Sequence, residues 1–172
     1  MTRKAGFPPV VDAETRVLIL GSLPGEASLA AGQYYGNPRN GFWALLESVL
    51  DAPLVALGYE DRLAALRARG VGLWDVIAEA ERPGSLDAAI RDPAANDLVA
   101  LVETLPALRA VAFNGATAAR LGTRLLARLK GRLALIALPS SSPAHAARRF
   151  ADKAAIWNGL RDWLDAIPAR GG

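Results

Sequence analysis

The sequence predicts an α/β fold, a three-layer α/β/α sandwich with a central four-stranded, mainly parallel sheet. Three observations carry that expectation. Short apolar runs alternate along the chain with amphipathic stretches at helical spacing. The polar, glycine-rich segments follow the apolar runs, as loops do at the carboxyl edge of a parallel sheet, where ligands bind. The chain has 172 residues, 52% of them hydrophobic, which suits one ample core and a single domain spanning 1–172.

Residues 1–15 read as an N-terminal arm, with Gly6-Phe7-Pro8-Pro9 pinned to the body through Phe7. The run Val17-Leu18-Ile19-Leu20 makes 16–20 the first strand, closed by Gly21. A long loop follows, and helical periodicity resumes at 40–50, where Phe42, Leu45, Leu46, Val49 and Leu50 form an apolar stripe and Trp43 joins the core. A second helix is expected over 60–69, with Gly70 just past its end. Residues 71–77 read as the second strand, running into a loop at 79–86 that Pro83-Gly84 breaks. Asp75 is either a site residue at that strand's end or the cap of a short helix. A helix over 96–105 stops at Pro106, and 109–113 is the third strand. Asn114-Gly115 then turns into a helix over 116–129, on which Arg120, Arg124 and Arg128 share one face and read as a solvated stripe. Residues 133–138 make the fourth strand, Pro139-Ser140-Ser141-Ser142-Pro143 a loop, and 145–167 the last helix.

Composition narrows the chemistry. With no cysteine and one histidine, disulfides and thiolate metal sites are excluded and a histidine-ligated metal is not expected, so neither metal nor cofactor is called for. No apolar run reaches the length of a membrane span and the N-terminus lacks the core of a signal peptide, so the expectation is a cytoplasmic protein and, absent any sign of an oligomer, a monomer. Net charge is +3, but from 104 to 151 there are eight basic residues and no Asp or Glu. That half reads as a face for a polyanion or as a generally arginine-rich surface.

The loop after the first strand concentrates groups suited to handling a base. Two glycines and a proline fix the backbone of Gly21-Ser22-Leu23-Pro24-Gly25, Tyr34 and Tyr35 offer flat faces, and Asn37 and Asn40 add neutral donors and acceptors. The segment matches neither the dinucleotide-binding glycine pattern nor a P-loop, and three serines near His145 lack the turn that a serine hydrolase needs.

Taken in order and spacing, Gly21-Ser22-Leu23-Pro24-Gly25, Tyr34-Tyr35, Pro38-Arg39-Asn40-Gly41-Phe42-Trp43, Phe113-Asn114-Gly115 and Leu138-Pro139-Ser140-Ser141-Ser142-Pro143 resemble the uracil-DNA glycosylase superfamily, over nearly the whole chain. More narrowly they resemble its hypoxanthine (deoxyinosine) DNA glycosylase branch. The resemblance implies an enzyme that flips a deaminated nucleotide out of DNA and hydrolyses the bond between base and sugar. It places Tyr35 as the stacking aromatic and Asn114 as the reader of the base edge, with Gly21 and Ser22 also against the base. The competing role for Asn114 is that of a turn residue.

Two positions depart from the uracil-specific pattern. Leu23 stands where those relatives carry the Asp or Asn that orients water, and Leu138 stands where they carry the His or Asn that stabilises the departing base. The hypoxanthine branch implies Asn40 as the catalytic residue instead, its carbonyl holding a water in line with C1′. Asn40 also suits a helix cap. Ser140, Ser141 and Ser142 would clamp phosphates, and Arg148 and Arg149 would add salt-dependent contacts to DNA. The absence of lysine from these loops implies no Schiff-base step. The alternatives are a uracil-DNA glycosylase acting on G:U mismatches and a catalytically silent DNA-binding domain.

Overall fold

The computed structural model describes residues 3–143 and 148–165. The chain opens with a short strand, β1 (Arg3–Ala5), and enters the central sheet with β2 (Val17–Gly21). Helices α1 (Glu26–Ala31), α2 (Phe42–Leu50) and α3 (Tyr59–Ala68) lie between it and β3 (Val71–Asp75). Strands β4 (Ile77–Glu81) and β5 (Arg91–Ala95) precede α4 (Leu98–Glu103) and β6 (Ala110–Asn114). Then come α5 (Ala116–Leu125), β7 (Ala134–Leu138), α6 (Phe150–Trp157) and α7 (Arg161–Leu164), the last two joined by a 3-10 turn at Asn158–Leu160.

The central sheet has the order β3-β2-β6-β7, and all three of its pairings are parallel. Successive side chains of a strand face opposite sides, so a strand buried on both faces needs apolar residues at every position. Val17-Leu18-Ile19-Leu20 meets that need. Val17 and Ile19 pack with α2, α3 and α6, through Leu46, Leu66 and Trp157 among others, while Leu18 and Leu20 pack with α4 and α5 through Val102 and Ala118. Two separate cores on either side of one sheet make the three layers. Each fully buried Leu or Phe in them contributes about 1.5 to 3 kcal/mol.

Register brings the strand ends level. Gly21 pairs with Asp75, Leu20 with Phe113 and Asn114 with Leu138, so Asp75, Gly21, Asn114 and Leu138 stand along one edge of the sheet. The polar loops leave from that edge, as expected.

Several expectations need correction. A second sheet was not anticipated: β1, β4 and β5 pair antiparallel in the order β1-β4-β5, so part of the arm and part of the segment read as a loop at 79–86 are strands. The strand expected over 71–77 stops at Asp75, and β4 leaves for the small sheet. No helix starts at Asp75, which removes the capping role considered for it. The loop after Gly21 contains α1, and the helix expected over 116–129 ends at Leu125 before a 3-10 turn. α6 starts at Phe150 rather than at 145, while His145 lies outside the described residues, as do 166 and 167 at the expected end. The pinning of the arm holds: Phe7 meets the Tyr34 ring edge-on at 5.2 Å, and Tyr34 Oη donates to Pro8 O at 2.8 Å.

Candidate active site

A cavity of about 290 Å3 opens at the carboxyl edge of the central sheet, near the small end of the range for ligand pockets. Tyr35, Asn40, Asn114, Gly21, Ser22 and the three serines Ser140, Ser141 and Ser142 all line it. The residues singled out for the base therefore converge, though they come from four separate segments.

Gly21 is there because nothing larger fits. A Cβ on it would sit 2.7 Å from Asp75 Oδ1 and 3.0 Å from the Tyr35 hydroxyl, inside van der Waals contact. The loop that follows is held from below by Arg82, whose Nη1 donates to Leu23 O at 3.2 Å and whose Nη2 donates to Pro24 O. Arg82 is buried, and Asp87 is its ion-pair partner at 3.7 Å. Asp87 also accepts from Ser22 Oγ at 2.7 Å, so Ser22 is committed to the loop's own network.

Tyr35 has a positive φ of 54°, a strained conformation for a residue with a side chain. Its ring stacks on Phe42 at 3.8 Å with an interplanar angle of 15°. One face is thereby covered, and only the opposite face is left for a planar ligand. Burial pushes the Tyr35 hydroxyl well above the usual phenol range, and the Asp75 carboxylate adds to this, against the Asn114 amide. No described residue lies within hydrogen-bonding geometry of that hydroxyl.

Asn40 sits just ahead of α2. Its Oδ1 accepts from Phe42 N at 2.9 Å, a turn that leads into the helix, but the N-cap position itself is Gly41, so Asn40 is not the cap; one carbonyl lone pair is left over. Asn114 is tied more tightly: Nδ2 donates to Ser141 Oγ at 2.8 Å, and Oδ1 accepts from Ser141 N at 2.9 Å. Ser141 O in turn accepts from Gly41 N at 3.0 Å, next to Asn40. The reader position, the serine loop and the helix entry thus form one connected chain. Gly115, with φ of +100°, lets Ser140 approach: a Cβ there would lie 3.2 Å from the serine's Cβ. Ser140 Oγ accepts from Ser142 N at 3.1 Å.

Asp75 was half seen in the sequence and proves central. It lines the cavity at 4% exposure, and Oδ2 has no hydrogen-bond partner among the described residues. Burial above all, and then Asp87, push its carboxyl up to about 7, against the pull of Arg82. The cavity therefore holds an acid that changes charge near neutral pH. Arg82 and Asp87 carried no signal in the sequence, because the groups they hold, Leu23 and Pro24 for Arg82 and Ser22 for Asp87, lie far away in the chain. Arg149 and Arg148 are exposed and outside this cavity; Arg120 and Arg124 are exposed on α5, while Arg128, also exposed, lies in the 3-10 turn after the helix and so does not share its face.

The chain matches the family model described as Uracil DNA glycosylase superfamily over residues 8–161. It is 44% identical over 147 residues to a protein of Methanosarcina acetivorans named Hypoxanthine DNA glycosylase, covering 86% of this chain and 90% of that one. A protein of the same name from Methanosarcina barkeri is 46% identical over 113 residues, 66% of this chain and 72% of its own. Among solved structures, the solution NMR structure of a candidate uracil DNA glycosylase from Methanosarcina acetivorans superposes with a TM-score of 0.81 at 39% identity, covering 95% of this chain and all of that one. With the family match spanning most of its length, and with the central sheet, its two helical layers and the cavity in place, this chain belongs to the uracil DNA glycosylase superfamily.

Proposed function

We propose that this protein is a monofunctional DNA glycosylase that excises hypoxanthine from deoxyinosine in DNA. The observation that carries the reading is the convergence of Tyr35, Asn40 and Asn114 on one cavity of about 290 Å3, in a chain 44% identical to a protein named Hypoxanthine DNA glycosylase. The nucleotide leaves the duplex and its base enters the cavity, where the free face of Tyr35 stacks on it for about 1 to 3 kcal/mol. The Asn114 amide pairs with the carbonyl and ring N–H of the hypoxanthine edge. The lone pair left on Asn40 Oδ1 holds a water beside C1′. An amide is no general base, so its part is to position that water and to stabilise cationic character on the sugar. The water oxygen bonds to C1′ and gives up one proton, the bond from C1′ to the base breaks, and the base departs with the electron pair and takes up one proton, so that the sum is one water added across the bond.

Arg148, Arg149 and the serine loop contact the DNA backbone in this reading. Among the described residues no helix is long and apolar enough to cross a membrane. In this reading one chain carries every group the reaction needs, which suits a monomer.

The test is single-turnover cleavage of duplexes carrying one deoxyinosine or one deoxyuridine, with excess protein, no added metal and alkali to break abasic sites. Inosine should be cleaved well above uracil, and Asn40→Ala should lose at least about 100-fold in rate. Uracil cleavage alone would replace the substrate assignment. An Asn40→Ala variant as fast as its parent would remove the role of Asn40.

A further inference from the structure

Glu26, Asp75 and Asp87 all line the base cavity, and among the described residues no Lys, Arg or His does. Arg82 lies behind the loop, holding Leu23 O and Pro24 O and pairing with Asp87, and is not part of the lining. A base that left its sugar with the bonding electron pair and no proton would be an anion among carboxylates, with no cation to meet it. The cavity suits a base that departs neutral. A proton must then arrive as the bond breaks.

Among the described lining side chains, only Asp75 is placed and poised to give one. It is 4% exposed, and its Oδ2 has no hydrogen-bond partner among the described residues. Its Oδ1 looks over Gly21, where a Cβ would sit 2.7 Å from it and 3.0 Å from the Tyr35 hydroxyl, so the missing side chain leaves the way into the cavity open. The other acids of the lining are committed. Burial first and Asp75 second push the hydroxyls of Tyr34 and Tyr35 above the phenol range, and both keep their protons. Glu26 accepts from Lys4 at 2.9 Å, which lowers its carboxyl, and Asp87 accepts from Ser22 and pairs with Arg82. The groups that bear on Asp75 are thus Asp87, Arg82 and the two tyrosines; burial and then Asp87 favour its protonated form, and Arg82 opposes them.

We infer that Asp75 is the general acid of the excision, giving its proton to N7 of the departing purine. The inference rests on the glycosylase reading, which supplies the base. N7 is the most basic ring nitrogen of a 6-oxopurine nucleoside, and it lies beside the carbonyl that pairs with Asn114 in that reading. As the bond from C1′ to N9 breaks, its electron pair passes into the ring, the N7–H bond forms and the O–H bond of Asp75 breaks. Hypoxanthine leaves neutral, and Asp75 is left as a carboxylate in the cavity where cationic character has built on the sugar. The proton given up by the water that adds to C1′ restores the acid through solvent. Uracil's one ring nitrogen not bonded to the sugar already carries a proton, so the same acid favours a purine.

The test is the pH dependence of single-turnover excision of deoxyinosine at saturating protein, for the parent and for Asp75→Asn, whose amide can donate a hydrogen bond but not a proton. The parent's rate should be level below about pH 6 and fall about tenfold per pH unit above about pH 7, as the acid ionises. At about pH 6 Asp75→Asn should be at least about 100-fold slower, with a rate level up to about pH 8.5. It should still bind the deoxyinosine duplex within about threefold of the parent. A duplex with 7-deazadeoxyinosine, which keeps the pairing edge and has carbon in place of N7, should bind the parent and stay uncut. A parental rate or a parental pH profile in Asp75→Asn overturns the inference, and so does cleavage of the 7-deaza duplex at the deoxyinosine rate. A parent whose rate rises with pH overturns it too, because a carboxylate acting on the water gives that sign. The parent's own profile needs no variant, so the inference stays testable should Asp75→Asn fold poorly. A parent that cuts neither deoxyinosine nor deoxyuridine fails the glycosylase reading and the acid with it; inosine cleavage indifferent to Asp75 fails the acid alone.

Discussion

Replacing Asp75 by Asn should change how stability depends on pH, by an amount that the structure fixes. The carboxyl is pushed from an ordinary value of 3.8 up to about 7, by burial first and by Asp87 second. In the unfolded chain Asp75 ionises near its ordinary value, so between the two pKa values the folded state binds more protons. Stability then falls as pH rises through that window and levels off above it. Integrated from about pH 5 to about pH 8, the loss is between about 2 and 3 kcal/mol. Asn is close in size and does not titrate, so Asp75→Asn should lack that loss while sharing every other titration with its parent. Urea unfolding of both proteins at the two pH values gives the comparison, as a difference of differences. Parent and variant whose stabilities fall in parallel, within about 0.5 kcal/mol, would refute the buried-acid account of Asp75.

Two further substitutions probe the same edge of the sheet. Asn114→Ala removes both hydrogen bonds to Ser141 and leaves the serine's N–H without its partner, so unfolding free energy should drop by about 2 kcal/mol in a denaturant titration, with excision lost as well. Gly21→Ala drives a Cβ to 2.7 Å from Asp75 Oδ1 and towards Tyr35, so it should distort the cavity and lower the single-turnover rate at least about tenfold; an alanine variant with parental kinetics would show the contact to be soft.

The central sheet was legible because its inner strands, β2 and β6, are buried on both faces, and continuous runs such as Val17-Leu18-Ile19-Leu20 have few other uses. The small sheet was not. β4 reads Ile-Ala-Glu-Ala-Glu, with little apolar surface, and β5 contains Pro93, which an edge strand tolerates but which speaks against a strand when only the sequence is in hand. α1 has six residues inside a loop rich in glycine, too short to show a period. Tyr35, Asn40 and Asn114 could be found because each sits in a motif. Arg82 could not, since its contacts to Leu23 and Pro24 cross 59 and 58 positions, and no local pattern encodes them. Asp75 showed its position but not its environment, which depends on Gly21, Tyr35 and Asp87 arriving from other parts of the chain.

The paired hydrogen bonds between Asn114 and Ser141 have a consequence for selectivity under the proposed reading. They use one lone pair of Oδ1 and one N–H of Nδ2, which fixes the rotation of the amide and leaves one acceptor and one donor in set directions. A base therefore meets a receptor whose pattern is set before it arrives, with little side-chain entropy left to lose. For a base whose edge supplies both groups, both bonds form. For one that supplies a single match, a partner is stranded in a confined site at about 1 to 3 kcal/mol, or roughly ten- to hundredfold in occupancy. Because Ser141 O also accepts from Gly41 N, the serine that orients the amide also anchors the turn that carries Asn40. Discrimination against undamaged bases and the seating of the hydrolytic water then share one anchor, a single serine.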